Sequence, residues 1–248
     1  MRLTQTNTLG IRVDSVEQAD IPALLDHSPP SAAPVLYSFV NPGCVAVANR
    51  DPGYRGLLDE FDAVLPDGIG MCWAIRALHG LPAARISFDS TSLAPLVFHY
   101  AVQHGATVAL VGGRPGVAER GAEQLRQAFP GLAIAAALDG YGGYGRKIDA
   151  LKALSPAVVV CGMGAGAQEQ FLLRLAEAGW SGLGFTCGGY LDQLTSGLRY
   201  YPDWVDAANL RWAYRLAREP RRLGRRYCVD YPIFAARLAR ALIARGPH

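Results

Sequence analysis

Short apolar runs recur along the chain, each closing on a turn and giving way to a stretch of helical spacing. Val35-Leu36-Tyr37-Ser38-Phe39-Val40 ends at Asn41-Pro42-Gly43, with helical spacing through Val45 and Ala48. Ala63-Val64-Leu65 ends at Pro66-Asp67-Gly68-Ile69-Gly70, ahead of a helical pattern of Met71, Trp73, Ala74, Ala77 and Leu78. Another helical run spans Ser92 to Gln103. Thr107 to Val111 predicts a buried strand, Gly112-Gly113-Arg114-Pro115-Gly116 a tight loop and Val117 to Phe129 a helix, with Pro115 suiting a first helical turn. Leu132 to Ala137 is strand-like, Asp139 to Gly143 a turn and Arg146 to Leu154 a short helix. Ala157 to Cys161 then runs into Gly162-Met163-Gly164-Ala165-Gly166-Ala167, a helix from Gln168 to Ala178 and a strand over Leu183 to Thr186. At the start, Ile11 to Val16 and the amphipathic Glu17 to Leu25 read as an opening βα unit before the Pro-rich linker Ser28-Pro29-Pro30-Ser31. This alternation predicts the α/β class: a Rossmann-like parallel sheet flanked by helices.

Sheets of that kind bind ligands at the carboxyl ends of their strands, where Asp67 and Asn41 both fall. Asp67 is the candidate catalytic group, with capping of the following helix as the alternative use of its carboxylate. The glycine loops at 112–116 and 162–166 should face the same edge, offering backbone N–H groups and helix N-termini to an anion. Tight turning alone would also account for those glycines. The second loop satisfies G-x-G-x-x-A, the pattern of a dinucleotide site. Such a site wants an acidic residue at the end of the next strand, where Phe185-Thr186-Cys187-Gly188-Gly189 stands instead.

Length and composition suit one large α/β domain, or such a domain with an appendage: 248 residues, half of them hydrophobic. Five widely spaced cysteines form no C-x-x-C, so neither a disulfide framework nor a zinc site is indicated, and a reducing cytosol is expected. The five histidines have no metal spacing, and no G-x-S-x-G is present, which argues against metalloenzyme and hydrolase readings. No apolar stretch reaches the length of a membrane span, so a soluble or peripheral protein is expected. Net charge is only +3, yet between Arg211 and Arg245 ten arginines face Glu219 and Asp230, a local charge of +8. On a helical projection Arg211, Arg215, Arg218, Arg222 and Arg225 share one face, with Trp212, Leu216, Leu223 and Tyr227 beside it. Pro220 should break or restart that helix near Glu219. The segment fits an anionic bilayer surface, or simply a solvated face. Without a recognition motif it does not indicate nucleic-acid binding. The expected division is an α/β domain over 1–205 and a basic C-terminal helical appendage over 206–248.

Several blocks coincide with one pattern: Asn41-Pro42, Leu65-Pro66-Asp67-Gly68-Ile69-Gly70, Arg76 with Gly80, Gly112 to Glu119, Gly140-Tyr141, Gly162-Met163-Gly164 with Gln168-Glu169, and Trp212 to Leu223 continuing into Arg225-Arg226-Tyr227. Together they resemble the bacterial WecG/TagA/CpsF glycosyltransferases. The resemblance implies an inverting, membrane-peripheral enzyme that moves a sugar from a UDP donor to a polyprenyl-diphosphate-linked saccharide, without a required metal, in surface-polysaccharide or teichoic-acid linkage-unit synthesis. It implies Asp67 as base, with Asn41 and Gln168 as the other catalytic candidates. Arg215, Arg222 and Arg225 would complete the site from an arm that docks on the membrane. Departures from the pattern include Phe39 for a threonine, Gly166-Ala167 for proline and lysine, Phe88 for a glycine, and Tyr200-Tyr201-Pro202, with Arg199 nearby, for an arginine-rich block. N-acetylmannosamine is therefore not carried over as donor.

For substrate binding the candidates are Arg76, Arg85, Gly112, Gly113, Gly116, Tyr141, Gly162, Gly164, Glu169, Arg215, Arg222 and Arg225, with no metal ligand and no cofactor. The expected partners are a UDP-sugar, a lipid-linked saccharide acceptor and the anionic inner face of the cytoplasmic membrane. A homo-oligomer is left open. Two other readings stand beside this one: an NAD(P)-dependent Rossmann oxidoreductase, and a non-catalytic peripheral membrane or polyanion-binding protein. A proton acceptor for the acceptor hydroxyl and positive charge for the departing diphosphate are what glycosyl transfer demands, and Asp67 with the arm arginines would supply them.

Overall fold

In a computed structural model, the structure describes residues 3–25, 33–198, 200–202, 204–205, 208, 210–218 and 220–245. The linker at Ser28–Ser31 and Arg199 lie outside them. Six parallel strands form the central sheet: β3 (Val35–Val40), β4 (Ala63–Pro66), β5 (Val108–Gly112), β6 (Ile134–Leu138), β7 (Val158–Gly162) and β8 (Leu183–Thr186). Their order across the sheet is β4-β3-β8-β7-β5-β6. The chain thus runs outward from β3 to β4 on one side and from β5 to β6 on the other, the arrangement that opens a crevice at the strand ends.

The strands are buried on both faces, apart from the half-buried edge strand β6, which is why they read as continuous apolar runs rather than alternating ones. One face (Tyr37, Phe39, Leu65, Leu110, Val160, Phe185) packs with α4 (Leu93–Gln103), α5 (Val117–Ala128) and the short α8 (Tyr190–Leu194). The other face (Leu36, Val40, Val64, Val111, Val159, Cys161) packs with α1 (Pro42–Arg50), α2 (Gly53–Asp59), α3 (Ile69–His79), α6 (Tyr144–Leu154) and α7 (Ala167–Glu177).

The N-terminus departs from the sequence expectation. It is not a βα unit but an antiparallel hairpin of β1 (Thr4–Thr8) and β2 (Ile11–Ser15). The two-residue turn between them has both members at positive φ, Leu9 at 56° and Gly10 at 87°, which suits the right-handed twist of a hairpin. Glu17 to Leu25 makes two short 3-10 turns, Gln18–Asp20 and Pro22–Leu24, because Pro22 has no N–H to continue a helix. The hairpin covers edge strand β4 with side chains. Asp14 Oδ2 accepts from the Val64 N–H at 2.7 Å, and Arg12, ion-paired to Asp14 at 3.0 Å, donates to the carbonyls of Phe61 and Asp62.

The C-terminal arm is helical. α9 (Arg211–Arg218) ends just before Glu219, which lies outside the described residues, and α10 (Pro220–Arg225) begins at the proline. A π-helical turn (Arg226–Asp230) leads into α11 (Tyr231–Arg245), which lies against α1 and α3. Phe234 of α11 is buried in the core and sits beside Gly70, where an added Cβ would come within 3.7 Å of its ring. Arg50 of α1 pairs with Asp230 at 2.7 Å, and Arg237 of α11 donates to Asn49.

Candidate active site

All six parallel strands send their C-terminal ends to one cavity of about 1020 Å³. Asn41 follows β3 and Asp67 follows β4, and the register of these neighbours pairs Val40 with Pro66, so the two side chains leave adjacent strands at the same level. The Asp67 N–H donates to the Val40 carbonyl at 2.8 Å, which fixes that alignment. Helix α3 starts after Gly68, whose φ of 84° suits a glycine and which has no side chain to cap the helix. The cap position is therefore one residue past Asp67. Asn41 caps α1, its Oδ1 accepting from the Gly43 N–H at 3.0 Å, so its amide nitrogen is not consumed by the cap.

The opposite wall is built largely on glycine-rich turns. Gly113 follows β5, Gly140-Tyr141 follow β6, Gly162-Met163-Gly164 close β7 and Cys187-Gly188-Gly189 follow β8. Some of these glycines are there because chains touch. A Cβ at Gly112 would stand 2.2 Å from the Gly162 carbonyl oxygen, and one at Gly162 would stand 2.8 Å from both Cys187 Sγ and the Gly188 oxygen. Others have open space around them: Gly164 (φ 86°), Gly166 (φ 90°) and Gly188 (φ 55°) have nothing within 4 Å of a built Cβ, so their role is conformational.

A loop after α3 supplies charge. Arg85 donates to Ser87 Oγ at 3.1 Å and lies 3.8 Å from Asp89. Asp89 also takes an ion pair from Arg211 of the arm, at 2.9 Å. Arg211 further donates to Thr91 Oγ1 and lies over the Tyr201 ring at 4.9 Å, while Arg218 lies over Tyr214 at 5.2 Å. Leu223, Tyr227, Asp230 and Tyr231 add to the cavity wall, so the arm forms one side of it.

Of the candidate residues, Asp67, Asn41, Gln168, Arg85, Gly113, Tyr141, Gly162 and Gly164 border the cavity. Gly112 and Gly116 stand behind the β5 loop, the first packed on Gly162 and the second in the left-handed conformation ahead of α5. Arg76 is exposed on α3 and donates to the Ala83 carbonyl at 2.8 Å, away from the lining. Arg225 is exposed and likewise outside it. The side chains of Arg215 and Arg222 lie outside the described residues.

Glu169 is wholly buried. Burial pushes its carboxyl above the usual carboxylate range, against hydrogen bonds from Gln168, Ser38 and the Gly166 N–H that pull it down. Lining residues not singled out from sequence as site residues include Arg114, Ser87, Tyr190 and Arg211. Arg114 sits inside the first glycine loop and Arg211 heads the basic stripe, so both carried a signal. Ser87 and Tyr190 carried none. Among the described residues no cluster of three or more His, Cys, Asp or Glu could hold a metal ion, and no helix is long and apolar enough to cross a membrane.

The model of the glycosyl transferase WecG/TagA/CpsF family matches residues 6–247. The chain belongs to that family. Among its relatives is the UDP-Gal:alpha-D-GlcNAc-diphosphoundecaprenol beta-1,4-galactosyltransferase of Shigella boydii, 28% identical over 183 residues, which cover 73% of this chain and 77% of the relative. The N-acetylglucosaminyldiphosphoundecaprenol N-acetyl-beta-D-mannosaminyltransferase of Bacillus spizizenii is 27% identical, over 73% of this chain and 70% of its own. The enzyme of the same description from Bacillus subtilis is 26% identical, over 75% and 72%. These family members are glycosyltransferases acting on N-acetylglucosamine linked to undecaprenyl diphosphate.

Proposed function

We propose that this glycosyltransferase moves a sugar from a UDP-sugar to a polyprenyl-diphosphate-linked saccharide with inversion at the anomeric carbon, Asp67 acting as general base. The observation that carries the reading is the two-sided cavity: Asp67 and Asn41 side by side at the ends of β4 and β3, opposite glycine turns at the ends of β5, β7 and β8. Backbone N–H groups and Arg85 suit the donor diphosphate, and a carboxylate suits an acceptor hydroxyl.

In the reaction the acceptor oxygen attacks the anomeric carbon from the face opposite the leaving group and its proton passes to an Asp67 carboxylate oxygen. The bond from the anomeric carbon to the β-phosphate oxygen breaks, and the electron pair leaves with UDP. Charge builds on that diphosphate, where arginines stabilise it. Arg85 is one such group. Arg215 and Arg222 are assigned the same task from the arm, which already borders the cavity through Arg211, whereas Arg225 lies outside the lining. Asn41 offers its amide to the sugar or phosphate beside Asp67, and Tyr141, exposed at the rim of the glycine side, offers a ring face to the nucleobase. Because the acceptor is lipid-linked and the arm is strongly basic, the protein works at the anionic inner face of the cytoplasmic membrane.

The test is transfer from a panel of UDP-sugars to N-acetylglucosaminyl-diphospho-polyprenol by the unmodified protein and by Asp67→Asn. Turnover should fall by roughly 10²–10⁴-fold in the variant, the range for loss of a general base, with UDP affinity kept within about twofold. Equal activity would remove Asp67 from the role.

A further inference from the structure

Gln168 borders the cavity, yet both ends of its amide are already committed to the protein. Its Oε1 accepts from the Gly188 N–H at 3.1 Å, and its Nε2 donates to Glu169 Oε1 at 3.0 Å. Glu169 in turn accepts from Ser38 Oγ at 2.9 Å and, through Oε2, from the Gly166 N–H at 2.7 Å. Behind Ser38 stands Thr186, whose hydroxyl donates to Ser38 at 3.3 Å and accepts from the Phe39 N–H at 3.2 Å. Every donor in this branched chain points towards the Glu169 carboxylate, the one member that can only accept. Buried networks of this kind hold only when each member is satisfied.

What the network ties together is specific. It joins the end of β3, shortly before Asn41, to β8, to the start of α7 and to the two turns at 164–166 and 187–189. Those turns need ties. Gly164, Gly166 and Gly188 all lie at positive φ with nothing packed where a Cβ would be, unlike Gly112 and Gly162, whose backbones are pressed against neighbouring chains. The β5 and β7 ends are held by contact; the 188 turn shares in that contact through its carbonyl and through the Cys187 N–H, which donates to the Cys161 carbonyl at 2.7 Å. Both the 166 and 188 turns in addition donate a backbone N–H, to Glu169 and Gln168 respectively.

Resting on the transferase reading, we propose that Gln168 and Glu169 are positioning residues for transfer: they hold the Gly166 and Gly188 turns, and so this wall of the cavity, in the shape that receives the donor, without touching the reacting atoms. Glu169 has no solvent-exposed surface, so any effect of its substitution on donor use must pass through what it holds.

Gln168→Met keeps the side-chain volume and removes both hydrogen bonds; Glu169→Gln keeps the shape and turns one acceptor into a donor. In the full-length protein each should speed amide exchange at Gly166 and Gly188 at least tenfold, leaving the strand amides unchanged. Each should weaken UDP binding and raise the donor KM about tenfold while changing kcat less, and the double variant should be no worse than the more impaired single one. If Glu169→Gln does not fold, Ser38→Ala, which removes one donor, should move the same readouts less far in the same direction. A Gln168→Met protein that loses kcat at unchanged UDP affinity and unchanged Gly188 exchange would overturn the proposal, as would a fully active Glu169→Gln. Failure of the unmodified protein to bind UDP would instead strike the transferase reading, and the exchange rates would still report whether the pair holds the turns.

Discussion

The two sides of the cavity are built on opposite principles. On the β3–β4 side, side chains line the space: Asp67, Asn41, Arg85 and Asp89 stand on strand ends and a loop, and the arm is fastened there through Arg211. On the β5–β8 side the absence of side chains is what matters, because glycines let neighbouring turns approach one another. Substitution should therefore alter reactivity on the first side and shape on the second.

Gly112→Ala makes the sharpest test of the glycine side. With φ at 147° and the Gly162 oxygen 2.2 Å from a new Cβ, it should cost on the order of 3–5 kcal/mol, read by urea unfolding. Gly164→Ala, with open space but φ at 86°, should cost only about 1 kcal/mol. Equal costs would mean that chain contact does not distinguish the two loops.

The arm comes next. Arg225, Arg240 and Arg245 are exposed, and at about 1 kcal/mol for each basic residue near an anionic surface, changing all three to Glu should weaken sedimentation with phosphatidylserine vesicles by about a hundredfold or more. Unchanged sedimentation would place the membrane contact elsewhere. Arg211→Ala removes an ion pair to Asp89, a hydrogen bond to Thr91 and a stacked contact on Tyr201, and should cost about 1–2 kcal/mol. Amide exchange should quicken in 210–218 and stay unchanged in 158–162.

The smallest effect is a pH slope. Burial makes the folded Glu169 hold its proton to higher pH than the unfolded chain does, so its contribution to stability is fully present below the ordinary carboxyl value near 4.5 and is lost as pH rises through the raised one. Unfolding midpoints of the unmodified protein should therefore decline over that window relative to Glu169→Gln. A parallel pair of curves would show that burial does not bias the carboxyl.

Much of the fold was legible because the sheet is buried on both faces, which forces apolar runs such as Val158-Val159-Val160 and a turn after each. Strand ends could be found the same way, and with them Asn41, Asp67 and the glycine turns. Thr4-Gln5-Thr6-Asn7-Thr8 escaped because a hairpin strand satisfied by threonine hydroxyls, as Thr6 is by the Val13 carbonyl at 2.8 Å, needs no apolar residue. The pairings that join distant parts of the site were invisible for another reason. Arg211 meets Asp89 across 122 residues and Gln168 meets Gly188 across 20, and such partners are chosen by strand order, which no local pattern records. The departures at Phe39 and Phe88 also acquire a reason: the two rings pack edge to face at 6.2 Å.

The most direct measurement is calorimetric titration of the unmodified protein with UDP, and in parallel with NAD, in metal-free buffer containing anionic vesicles. Saturable UDP binding with no heat from NAD is the predicted result. Binding of NAD without UDP would contradict the account at its donor site and return the Gly162 turn to the dinucleotide reading.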